Sequence, residues 1–138
     1  MGMNNDDEIR QILTSVKTIA VVGFSANPSR PSHGVAAFLQ RKGFRVIPVN
    51  PGLAGQTQLG ETVYAGLKDI PFPIDMVDVF RASEFVAEVI EEAIAIKAKV
   101  VWTQLDVIDE AAAAKGRAAG LQVVMDRCPA IEMPRLKL

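Results

Sequence analysis

The sequence predicts an α/β fold, a doubly wound parallel sheet of about five strands in a single domain spanning residues 1–138. Three observations predict it. Short apolar runs rich in β-branched residues recur along the chain, stretches with apolar residues at helical spacing separate them, and no repeat, low-complexity tract or long linker divides the 138 residues. Strands that alternate with helices pair in parallel through right-handed crossovers.

The elements follow in order. Residues 1–5 are expected to be disordered or an expression scar, since Met1-Gly2 precedes a second methionine. A helix begins near Asn5 or Asp6, with Ile9, Ile12, Leu13 and Val16 on one face and an acidic first turn that suits the positive helix end. T-I-A-V-V-G-F reads as strand one, buried on both faces. A second helix starts at Ser32, carries Val35, Phe38 and Leu39, and stops at Gly43. F-R-V-I-P-V-N-P is strand two, with Pro48 at its last pairing position because proline cannot donate to a ladder. Strand three is Met76–Phe80. Ser83 then caps a helix carrying Val86, Val89, Ile90, Ala93 and Ile94. V-V-W-T is strand four, ending near Thr103; Asp109 caps an alanine-rich helix that stops at Gly120; L-Q-V-V-M is strand five.

Composition removes several functions. The net charge of −1 supplies no basic field for a nucleic acid. One cysteine, Cys128, allows neither an internal disulfide nor a cysteine-based zinc site. No apolar run approaches the roughly 18 residues a membrane span needs, and the polar, acidic start is unlike a secretory signal peptide. A cytoplasmic location is expected.

Parallel sheets bind ligands at the carboxyl ends of their strands. The loop after strand one, G-F-S-A-N-P-S-R-P-S from Gly23 to Ser32, carries the strongest signal there. Gly23 permits a sharp turn and close approach of a ligand. Ser25, Ser29 and Ser32 offer hydroxyls, Arg30 a forked cation, and the following helix start its free N–H groups. Together these suit a phosphorylated ligand; the competing reading is a surface loop whose serines cap and whose prolines stiffen. Gly23 is followed by no G-x-x-G continuation and strand two ends in Asn50, not an acid, which disfavours NAD. A Walker A ending and a receiver-type acidic cluster are both missing.

V-V-G-F-S-A-N-P-S-R-P-S, V-I-P-V-N-P, V-D-V-F-R, V-W-T-Q-L and V-V-M-D-R-C-P-A-I-E together resemble the small stand-alone CoA-binding domain proteins of bacteria and archaea, from about Ile12 to Glu132. That family is similar in fold to the N-terminal domain of the succinyl-CoA synthetase α subunit. The resemblance implies a Rossmann-like sheet with coenzyme A across its carboxyl edge, and no particular reaction. It implies that Gly23, Ser25, Ala26, Asn27, Arg30 and Ser32 cradle the phosphates. Asn50 and Pro51 would lie along the adenosine, Phe80 and Arg81 would form the next loop, and Thr103 and Gln104 would face the pantetheine arm. The chain departs from the pattern at Gly52, where lysine is common, and at Asp106 and Asp109, which stand for neutral residues; all three changes oppose an anionic ligand.

Other residues have plainer readings. His33 is expected to be a solvated first-turn residue and Cys128 a buried thiol before a proline turn, although a thioesterase or transferase could use either. Asp126 and Arg127 are expected to pair, Trp102 to lie in the core or an interface, and Glu91, Glu92, Lys97 and Lys99 to form a solvated helix face. The chain thus reads as a binder of coenzyme A or an acyl-CoA, non-catalytic on its own, a sensor or carrier with no metal site and no catalytic residue. A small CoA-dependent enzyme, a binder of another nucleotide such as FMN, and a scaffold with a decayed pocket are the alternatives.

Overall fold

Asn5 opens the first helix: its side chain accepts the N–H of Glu8 at 2.8 Å, satisfying a donor that every helix start leaves free, and α1 runs Asp6–Ser15. The computed structural model describes residues 4–138; residues 1–3, part of the segment expected to be disordered, lie outside the described residues. After α1 come β1 (Thr18–Val22), α2 (Pro31–Arg41) and β2 (Arg45–Val49). A small hairpin, β3 (Thr57–Gln58) and β4 (Glu61–Thr62), precedes β5 (Met76–Val79). Then follow α3 (Val86–Ala95), β6 (Val100–Thr103), α4 (Glu110–Ala118), β7 (Gln122–Val124) and α5 (Pro129–Arg135).

Five strands form one parallel sheet in the order β2-β1-β5-β6-β7, and the hairpin stands apart. From β1 the chain steps outward to β2, then crosses back to β5 and continues the other way. The order therefore reverses between β1 and β5, which opens a crevice at their carboxyl ends. Side chains alternate between the sheet's faces. Ile19, Val21, Met76 and Trp102 pack under α1, α2 and α5; Ala20, Val22, Val77, Val79 and Val101 pack under α3 and α4. With both faces covered, the strands read as continuous apolar runs. The fold is the Rossmann-like α/β domain expected. Among the described residues no helix is long and apolar enough to cross a membrane.

Two local expectations need correction. Pro48 does not end its strand: it pairs with Val21 and Val49 follows it. Arg45 donates to Lys17 and Val49 accepts from Gly23, so alternate residues Val46 and Pro48 turn their backbone groups outward. β2 is an edge strand, so the missing N–H of Pro48 costs no ladder bond, and its carbonyl accepts from Tyr64 at 3.1 Å. Ser83 does not cap α3. A single 3₁₀ turn, Ser83–Phe85, leads into the helix, and the Ser83 hydroxyl instead accepts the N–H of Ile108 at 2.9 Å, tying this loop to the one after β6. Asp109 does cap α4, accepting from Ala112 at 3.0 Å, and Gly120 ends that segment at φ 99°.

Candidate functional site

The crevice is built by backbone ties between three strand ends. Gly23 and Phe24 both donate to the Val49 carbonyl, joining the β1 and β2 loops. Gly23 has φ 89°, and a Cβ there would lie 2.6 Å from the Phe80 carbonyl oxygen. Glycine is required because the β1 and β5 loops touch at this point. Asn50 adds a clamp: its Nδ2 donates to the Phe24 carbonyl and its Oδ1 accepts from Gly52, both at 2.7 Å. Asn50 thus holds the crevice's shape from its wall.

The loop from Gly23 to Ser32 satisfies itself and still leaves donors. Ser25 Oγ accepts from the Asn27 N–H, and Ser32 Oγ accepts from the Ser25 N–H. Each of these hydroxyls keeps its own proton for an outside acceptor. Ser29 does not, since its hydroxyl donates to Asn27 Oδ1 at 2.8 Å. Arg30 is exposed and in no ion pair among the described residues.

Three open cavities share lining residues along this edge. The first, of about 440 Å³, lies between Val49-Asn50-Pro51, Ala65-Gly66-Leu67 and the α3 carboxyls Glu88 and Glu92. The second, of about 340 Å³, is walled by Gly23, Ser25, Arg30, Pro31, Ser32 and Phe80. The third, of about 390 Å³, is mostly apolar, with Val35, Ala82, Leu105, Val107, Gln104 and Cys128. Gly23 joins the first to the second, Pro31 and Phe80 join the second to the third, and Arg81 lines both the first and the third. The Arg81 guanidinium stacks 3.9 Å from the centre of the Phe85 ring, which holds it in place at the waist of the trough.

Beneath the third cavity lies a buried polar cluster. Asp78, in the middle of β5, is wholly buried. It sits between Val21 and Trp102 in register. Its Oδ1 accepts from Gln104 Nε2 at 2.7 Å, and its Oδ2 has no partner among the described residues. Burial pushes its carboxyl up to about 7, against the smaller downward effect of the Gln104 bond. Burial also pushes the Cys128 thiol up, and the Asp78 charge adds to the rise. On the far wall, burial and then the Glu88 carboxylate push Glu92 up.

The structure brings Gly23, Ser25, Arg30, Ser32, Asn50, Pro51, Phe80, Arg81 and Gln104 to this edge. Ala26 and Asn27 belong to the same loop and line none of the three cavities. Thr103 is fully buried, its hydroxyl donating to the Val107 carbonyl at 2.6 Å and accepting from Asp126. It shapes the loop from inside. Asp126 and Arg127 do not pair. Asp126 accepts from the Asp106 N–H, and Arg127 bonds Glu132 at 3.2 Å. Glu92 is not simply part of a solvated face, since it lines the first cavity, whereas Glu91 pairs with Lys115. Trp102 is core, its Nε1 donating to the Arg127 carbonyl. Sequence reasoning missed Ala65–Leu67, Glu88 and Asp78; the available signals were the four-residue spacing of Glu88 and Glu92 and the lone acid within the apolar strand M-V-D-V-F.

The chain matches the family model described as CoA binding domain over residues 17–134. The chain belongs to the CoA binding domain family. This CoA binding domain is 42% identical over 121 residues to the uncharacterized protein YneT of Bacillus subtilis (strain 168), covering 88% of each chain. It superposes with a TM-score of 0.91 and 39% identity on the structure of cell-free ID.343 from Thermus thermophilus, covering 96% of this chain and 99% of that one. The same fold recurs in the dinucleotide-forming acetyl-coenzyme A synthetase 1 of Ca. Korarchaeum cryptofilum, with a TM-score of 0.65 and 23% identity over 78% of this chain and 25% of the synthetase. At that identity the likeness speaks for the fold alone.

Proposed function

We propose that this domain binds coenzyme A or an acyl-CoA along its carboxyl edge and serves as a sensor or carrier without catalysing a reaction by itself. One observation carries the reading: the three joined cavities change character in the order that CoA does. The first cavity, the most polar of the three, suits the adenosine, a stretch with hydroxyl donors and Arg30, in no ion pair among the described residues, suits the phosphates, and a mostly apolar cavity suits the pantetheine arm. Membership of the CoA binding domain family supports it.

The non-catalytic part rests on the two candidate nucleophile–base residues. Attack needs a thiolate, and the raised Cys128 keeps its proton at neutral pH. The His33 ring lies 5.5 Å from that of Phe24, and no hydrogen bond joins it to Cys128 among the described residues. Thermal denaturation with CoA, NAD and FMN at equal concentration tests the reading. CoA raises the melting temperature by mass action and the other two do much less. Equal shifts from all three would remove it.

A further inference from the structure

Apart from Arg81, the third cavity has one strongly polar side chain on its wall, the amide of Gln104. An amide can turn either its oxygen or its NH₂ toward a ligand, and here the choice is made from behind. One N–H of Gln104 Nε2 donates to Asp78 Oδ1 at 2.7 Å, which turns the NH₂ inward. A carboxylate can only accept, so the ionised acid requires the NH₂ behind, and the carbonyl oxygen of the neutral carboxyl can accept the same bond. Gln104 Oε1 has no partner among the described residues. It is also not sealed in, because among the described residues Asp78 Oδ2 is the one fully buried side-chain oxygen or nitrogen left without a partner. Gln104 retains 8% exposure, and its oxygen opens on the cavity.

The fold has no use of its own for this acid. A buried carboxyl with an unpartnered oxygen lowers stability, and its face of the sheet is otherwise apolar, with Val21, Met76 and Trp102. The flanking strands face Asp78 with Val21 and Trp102, neither of which titrates, and Cys128 is the titratable group that feels its charge. We infer that Asp78 is a positioning residue: it holds Gln104 with its carbonyl oxygen toward the cavity, where that oxygen accepts a hydrogen bond from an amide N–H of the pantetheine arm. This rests on the CoA reading above.

The test compares CoA with adenosine 3′,5′-bisphosphate, which has the nucleotide end without the arm, by isothermal titration near neutral pH. The proteins are wild type, Asp78→Val, Gln104→Met, the double variant and Asp78→Asn, with melting temperatures measured alongside. Asp78→Val and Gln104→Met each weaken CoA by about three- to tenfold, the worth of one net hydrogen bond. Binding of the bisphosphate does not change. The double variant binds CoA no more weakly than either single, because the two act through one bond. Asp78→Asn stays near wild type, since its Oδ1 accepts the same bond. Three results overturn the proposal: unchanged CoA affinity in Asp78→Val, equal loss for both probes, or losses that add fully in the double variant. If Asp78→Val does not fold, Gln104→Met decides: a loss confined to CoA supports the proposal and an unchanged affinity overturns it. A wild type that binds neither probe overturns the CoA reading itself.

Discussion

Asp78→Asn should change how the domain's stability depends on pH. The carboxyl titrates at about 7 in the fold against an ordinary value of 3.8. Between those values the folded chain holds a proton that the unfolded chain has released. Stability therefore falls as pH rises through this window and levels off above it. The two values lie about three pH units apart, and at about 1.4 kcal/mol per unit the loss amounts to roughly 4 kcal/mol. Glu92, also raised, adds a smaller effect of the same sign. Asp6, lowered first by its hydrogen bond to Arg135, and Asp75, lowered by the Lys17 and Thr18 N–H groups against its burial, act the other way below their ordinary value of 3.8. Urea denaturation at intervals from pH 5 to pH 8 measures the slope. Wild type loses stability across this range. Asp78→Asn, which carries no proton to release, loses little and is the more stable protein at the upper end. The reasoning is refuted if wild type is as stable at pH 8 as at pH 5, or if the asparagine variant keeps the wild-type slope.

Two further outcomes follow from the loops. Gly23→Val places a branched side chain at φ 89° with its Cβ 2.6 Å from the Phe80 carbonyl oxygen, so it should cost roughly 3 kcal/mol or more; a denaturation midpoint near that of wild type would show that the β1 and β5 loops separate freely. Gly52 lies outside the left-handed region, with its nearest obstacle Asn50 Oδ1 at 3.3 Å from a Cβ. Gly52→Lys should therefore fold and tighten CoA several-fold at low salt, since a cation beside a phosphate contributes on the order of 1 kcal/mol; a folded variant with unchanged low-salt affinity would place this loop away from the nucleotide.

What was legible in the sequence depended on how local its cause was. T-I-A-V-V could be read as a strand because both its neighbours are helices and both its faces are covered. Asn5, Asp109 and Gly120 could be read because a cap acts within four residues. Pro48 could not be placed, because its tolerance depends on β2 being an edge strand, a fact of sheet order. Ser83 has the chemistry of a cap, but the Ile108 N–H, 25 residues away, takes its oxygen. Residues 54–75 gave no element: two-residue strands have no period, and the Tyr64 segment is held by its bridge to Val49. Helix α5 was hidden behind Pro129 and Pro134. In the site, the residue types of the loop from Gly23 to Ser32 were readable. Which of its three serines keeps a free proton was not, because that is settled by the fold of the loop itself. Asp78 went unnoticed among apolar neighbours because its importance lies in what Gln104 does with it.

The two borders of the sheet have a consequence for crowding. A bare strand edge invites another copy to add a strand. At β2, Pro48 offers no N–H and gives its carbonyl to Tyr64. At β7, Gln122 turns its backbone toward β6, so Val123 faces outward, and its carbonyl accepts from both the Asn4 amide and the Arg117 guanidinium. A neighbouring molecule meets proline on one side and occupied acceptors on the other. Ribbon-by-ribbon growth into fibres is thereby discouraged at both flanks.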